Sequence, residues 1–161
     1  MELLLLRHGK AEDFASSGGG DFARALEEKG MQQSRNAARV LGSADFLPDL
    51  VLSSPVLRAK QTAAEFCRAA GIPDPLIEGW LACGMSPQTA LSELSAYSDT
   101  GRVMIVGHEP DFSHLVQHAL GANGGSIHIG KGSLTCLEIR PPSPRATLLF
   151  SFPQKFAKHM E

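Results

Sequence analysis

The chain has no long hydrophobic run. Its most apolar stretch near the start, Leu3 to Leu6, is four residues long, far short of a signal peptide or a membrane span. Charge of one sign is not in excess either: 15 basic and 17 acidic residues leave a net charge of -2. A balance so near neutral disfavours nucleic acid or an anionic membrane as the main partner, so any basic site has to be local. Cysteine is scarce, with Cys67, Cys83 and Cys136 alone. An odd count at spacings that match no metal motif reads as reduced thiols and a cytoplasmic protein, with Cys67 and Cys136 in the core. No internal repeat and no linker divides the chain. What is present is ordinary for a globular protein: 161 residues, 43% hydrophobic and 20% charged. The expectation is one domain over residues 1–161, large enough to bury a core.

Periodicity supplies the elements. Met1 to Leu6 read as a buried strand, short, apolar and followed at once by polar residues and glycine. Ser16 to Gly20 make a flexible loop, and no Lys-Ser/Thr pair follows its glycines as a phosphate loop requires. Gly30 to Leu41 have a helical period, with Gly42 as the stop. Leu50 to Leu52 form a second strand. Ser54-Pro55 then open a helix to about Ala70, serine as N-cap and proline at the first helical position, closed by Gly71. Pro87 to Tyr97 make a third helix and Arg102 to Val106 the next strand. Glu109-Pro110-Asp111 open a helix ended by Gly121. Ser133 to Ile139 and Ala146 to Phe152 read as a hairpin joined through Pro141, Pro142 and Pro144. Strands alternating with helices, then a hairpin, predict a three-layer α/β/α sandwich with a mostly parallel sheet and an antiparallel C-terminal edge.

Three segments share a topological position. Arg7-His8-Gly9, Ser53 to Arg58 and Gly107-His108-Glu109-Pro110 each follow a predicted strand. Sites in open α/β sheets form beyond the carboxyl ends of strands, so Arg7, His8, Arg58 and His108 are expected to converge. Two guanidinium forks suit phosphate oxygens, and Arg58 lies in the first turn of its helix, whose amides favour an anion. A neutral imidazole attacks phosphorus when one nitrogen is free and the other is held as N–H. The second histidine, as a cation, would stabilise the transferring phosphoryl group, with no metal required. Taken singly, each residue is more ordinarily a polar rim, a solvated helix residue or a helix cap. It is the joint placement that favours a site. Elsewhere, His114 and His118 stand four apart, a spacing that can bind a metal, but with no third ligand they read as a plain helix face. Trp80 either lines a pocket mouth or packs. Lys131 is by default a solvated loop lysine, and His128 and His159 lack context.

Leu-Arg-His-Gly at 6–9, Ser-Ser-Pro-x-x-Arg-Ala-x-Gln-Thr-Ala at 53–63 and Gly-His-Glu-Pro-Asp-Phe at 107–112 resemble the histidine phosphatase superfamily, also called phosphoglycerate mutase-like. The short length, the Gly-His-Glu-Pro form and Asp21 to Leu26 followed by Lys29-Gly30 resemble its SixA-like phosphohistidine phosphatase branch. The resemblance covers nearly the whole chain. It implies that His8 is phosphorylated and then freed by water, that Arg7, Gly9, Arg58 and His108 form the phosphate pocket, and that no cofactor or metal is needed. It also implies phosphohistidine proteins, such as two-component phosphotransfer domains, as substrates. Many members of the superfamily carry a proton-donating Glu in a Leu-x-Glu segment. Here either Leu76-Ile77-Glu78 matches it, or Leu81-Ala82-Cys83 does, which leaves Cys83 at the acid position. The second match is preferred, and a missing acid fits a phosphoramidate better than an alkyl ester. The alternatives are a small-molecule phosphatase or mutase of the same superfamily, and a phosphate-binding regulatory module without turnover.

Overall fold

A computed structural model describes residues 1–159. The elements run β1 (Glu2–Arg7), α1 (Glu28–Ser43), β2 (Leu50–Ser53), α2 (Leu57–Ala70), β3 (Leu76–Ile77), α3 (Pro87–Leu94), β4 (Arg102–Gly107), α4 (Asp111–Leu120), β5 (Leu134–Ile139), β6 (Ala146–Phe152) and α5 (Gln154–Ala157). The six strands form one sheet in the order β3-β2-β4-β1-β5-β6. The first four in that order are parallel, and β5 and β6 are antiparallel additions at one edge.

The leucine run of β1 is continuous because both of its faces are covered. Leu3 and Leu5 join Val103, Ile105, Phe112 and Leu115 in a core layer under α3 and α4. Leu4 and Leu6 point the other way and join Met104, Val106, Ala63 and Phe66 under α1 and α2. Alternation with period two thus divides one apolar strand between two cores, and the expected three layers follow. Cys67 and Cys136 are buried in the second layer, as their patterns indicate.

Four local expectations are corrected. Gly42 lies inside α1, and the chain reverses two to three residues later, where Asp45 takes a left-handed φ of 53°. A short polar side chain tolerates that conformation, so glycine is not needed for the stop. Helix α2 begins at Leu57, not at Ser54-Pro55. Ser54 still extends the sheet through its N–H to Val106 O at 3.0 Å, which keeps it out of the helix. The third helix stops as an α-helix at Leu94, and Ser95–Tyr97 tighten into a 3-10 turn. Sequence periodicity also missed β3 and α5. In the chain, β3 lies between β2 and β4. The three key segments follow three strands adjacent in the sheet, β2, β4 and β1.

Candidate active site

Register brings the three segments together. Arg7 pairs with Gly107 across β1 and β4, and Ser53 pairs with Val106 across β2 and β4. The ladder runs on past the strands, since His8 N–H donates to Gly107 O at 3.0 Å. His8, Arg58 and His108 therefore meet at the carboxyl edge of the sheet, all buried. The two imidazole rings have centroids 5.5 Å apart.

The partners of His8 assign its tautomer. Nδ1 lies 2.8 Å from Gly9 O, an acceptor only, so Nδ1 carries the proton. Arg58 Nε donates to Nε2 at 3.4 Å, which requires a lone pair there. Burial, and then the nearby His108, Arg58 and Arg7, push the His8 pKa down to about 3 against the opposing pull of Gly9 O. The ring is neutral, with Nε2 free to attack.

Gly9, expected among the substrate-binding residues, has both main-chain groups engaged within the protein. Its N–H donates to Thr62 Oγ1 at 3.1 Å and its carbonyl accepts from His8 Nδ1. An added Cβ would lie 2.7 Å from the Gly30 backbone. Gly9 lets β1's exit pass close over α1 and so sets the position of His8. Thr62 completes the brace, because its hydroxyl donates to Arg58 O at 2.7 Å. The spacing of Arg58 and Thr62, one helical turn apart, was the available signal for that role.

His108 is the second buried imidazole of the site. Burial first, then Arg58, lower its pKa to about 4, with Asp21 acting in the opposite direction. Both effects favour the neutral ring while no anion is bound. Ser54 Oγ accepts from Val56 N–H at 3.2 Å and lies 2.8 Å from His108 Nε2. The hydroxyl therefore holds the Nε2 side of the His108 ring and turns Nδ1 away from Ser54. That Nδ1 is buried and has no partner among the described residues; the same is true of Arg7 Nε. Arg7 Nη1 is fixed by Ile129 O at 2.8 Å. Ser54 was read as a cap, and Ile129 O, a main-chain atom, left no trace in the sequence.

Arg58 is braced from outside. Nη1 donates to Asp21 O at 3.0 Å, and Nη2 to Asp21 Oδ2 at 3.3 Å and Cys83 Sγ at 3.7 Å. Glu78 points elsewhere and accepts from Tyr97 OH at 2.7 Å. So the thiol, not Glu78, stands beside Arg58. Burial, the largest influence, raises the Cys83 pKa, which keeps the thiol protonated. His114 and His118 are exposed on α4. Among the described residues no group of three or more His, Cys, Asp or Glu is placed to hold a metal ion. Trp80 is half-buried against the core, and no helix of the described residues is long and apolar enough to cross a membrane.

An α/β sandwich with two histidines and two arginines at its carboxyl edge has the form of a phosphoryl-transfer protein. The comparisons give that class a family. Residues 3–81 match the model of the histidine phosphatase superfamily (branch 1). An uncharacterized protein of Picosynechococcus is 30% identical over 141 residues, 83% of this chain and 82% of that one. A protein histidine phosphatase SixA, solved with tungstate, superposes with a TM-score of 0.86 at 22% identity, covering 97% of this chain and 99% of that one. The putative phosphohistidine phosphatase SixA of Agrobacterium tumefaciens does so with a TM-score of 0.79 at 26% identity, covering 94% and 97%. The chain belongs to the histidine phosphatase superfamily, and its fold is that of the SixA proteins.

Proposed function

We propose that this chain is a phosphohistidine phosphatase, acting as one domain on a phosphorylated protein. Superfamily membership supports phosphatase activity, and the site supports a mechanism. The phosphoryl group passes from the substrate imidazole to His8 Nε2: the P–N bond to the substrate breaks as the P–Nε2 bond forms. Water then attacks phosphorus and returns the electron pair to Nε2. Arg7, Arg58 and the Nδ1–H of His108 bind the phosphoryl oxygens, where charge develops. An arriving phosphate raises both imidazole pKa values by the same Coulomb effect that the arginines exert with opposite sign. His108 then becomes better able to share its proton with the bound group. The cations carry the charge stabilisation, so no metal is assigned a part.

The observation that carries the reading is the fixed tautomer of His8, Nδ1–H on Gly9 O and Nε2 open beside Arg58. A module that only bound phosphate would not need it. The substrate class rests on Cys83. A protonated thiol is a weak proton donor, which an alkoxide leaving group would miss and an imidazole would not.

The test is incubation with a phosphohistidine protein, with free phosphate measured and phospho-His8 sought by mass spectrometry, with and without EDTA. The expected result is turnover insensitive to EDTA and label on His8. Turnover without label, or label without turnover, would refute the mechanism. Faster release from alkyl phosphates than from phosphohistidine would overturn the substrate class.

A further inference from the structure

Asp21 stands in an unusual relation to the site. Arg58 is 6% exposed, while the Asp21 side chain that touches it is 60% exposed. The carboxylate therefore approaches the guanidinium from solvent, the side from which a substrate arrives. Its Oδ2 accepts from Arg58 Nη2, its main-chain carbonyl from Arg58 Nη1 at 3.0 Å, and its Oδ1 from Arg24 Nε at 2.9 Å; only the first carries the side chain's charge to Arg58. Gly18, Gly19 and Gly20 precede it, and Gly18 and Gly20 have left-handed φ with open space where a side chain would be. This backbone can swing the carboxylate away at small steric cost.

A carboxylate oxygen and a phosphoryl oxygen seek the same N–H. We propose that Asp21 is a specificity-determining residue, an internal competitor for Arg58 that disfavours small phosphorylated molecules and inorganic phosphate. Phosphoproteins, which touch more than the pocket, displace it. The proposal rests on the assignment of Arg58 to the phosphate pocket. A ligand confined to the pocket binds only the fraction of molecules in which Arg58 is released. A protein substrate has further contacts with which to shift that equilibrium.

The experiment compares wild type with Asp21→Asn, which keeps the shape and removes the charge, and with Asp13→Asn. Asp13 is another exposed carboxylate of the same loop, paired with Lys10 and not with Arg58. Phosphoramidate turnover, its inhibition by inorganic phosphate, and phosphate binding by calorimetry are measured, with melting temperatures to confirm folding. In Asp21→Asn, KM for phosphoramidate and the inhibition constant of phosphate should each fall about 3- to 5-fold, the scale of one exposed ion pair. kcat/KM for a phosphohistidine protein should gain less. A rise in KM, or a fall in kcat, would make Asp21 a positioning residue and overturn the proposal. An equal gain in Asp13→Asn would assign the effect to general charge and overturn it too. Should Asp21→Asn melt early, Asp21→Ser supplies the same comparison. Phosphate binding that survives Arg58→Ala unchanged would instead remove Arg58 from the pocket, a separate failure of the functional reading itself.

Discussion

The parallel strands β2, β4 and β1 and the antiparallel pair β5 and β6 share one sheet, yet they contribute different things to the site. The parallel half delivers side chains: Arg7 and His8, Ser54 and Arg58, and His108 all lie at or just beyond its carboxyl ends. The antiparallel half delivers main chain. Ile129 O orients Arg7, Ser133 O accepts from Arg7 N–H at 3.3 Å, and Gly132 N–H donates to Arg7 O at 3.0 Å, all on the approach to β5. The reason is directional. Parallel strands end on the same side of the sheet, so their following residues collect there. Antiparallel neighbours end on opposite sides, and only the lead into β5 reaches the site. Burial follows the same division: β4 is buried over five of its six residues, whereas β6 has none fully buried.

That contrast can be tested from its strongest consequence downward. His8→Ala should lower phosphohistidine hydrolysis by about 10⁴-fold or more, with no covalent label at position 8, because it removes the attacking nitrogen. Full activity in this variant would sink the assignment of the parallel edge. Arg58→Ala should cost about 10²- to 10³-fold in kcat, the range for one preorganised donor to developing charge. Ser54→Ala, which frees His108 Nε2, should cost roughly 10-fold, because a mis-set tautomer is recovered part of the time.

The pH effect is read on stability and not on rate. His8 and His108 have folded pKa values of about 3 and about 4, below the ordinary 6.5. Between those values the unfolded chain binds more protons, so stability is full above pH 6.5 and falls as the pH drops toward 4. Urea melts should show this slope in the wild type, and a His8→Ala, His108→Ala double variant should lose most of it. The smallest effect is expected in the antiparallel half. Leu148→Ser on exposed β6 should change stability by about 0.5 kcal/mol or less and leave turnover alone. A large loss of activity there would break the comparison between the halves.

Much of the molecule was legible before any coordinates. The leucine run of β1 and the Val-Met-Ile-Val run of β4 read as strands buried on both faces. The helices between them require crossovers, so a parallel sheet covered on two sides follows. Arg7, His8, Arg58 and His108 were readable because strand ends in such a sheet are where chemistry gathers. The less legible parts share a cause. Ser54 looked like a cap because Ser-Pro usually is one, and a ladder bond to Val106 overrode that preference. The packing of Gly9 against Thr62 and Gly30, both distant in sequence, could not be read from the motif. The loop reading of Ser16 to Gly20 gave no hint that the next residue sits on Arg58.

What the sequence determined by itself, then, is which residues reach the carboxyl edge, because strand and helix periodicity are local properties of the chain. What only the tertiary structure decided is the state of those residues: the tautomer of His8, the neutrality of His108, Cys83 and not Glu78 beside Arg58, and Asp21 upon it. Hydrogen-bond partners and burial set those states, and both come from segments that the chain brings together only when it folds.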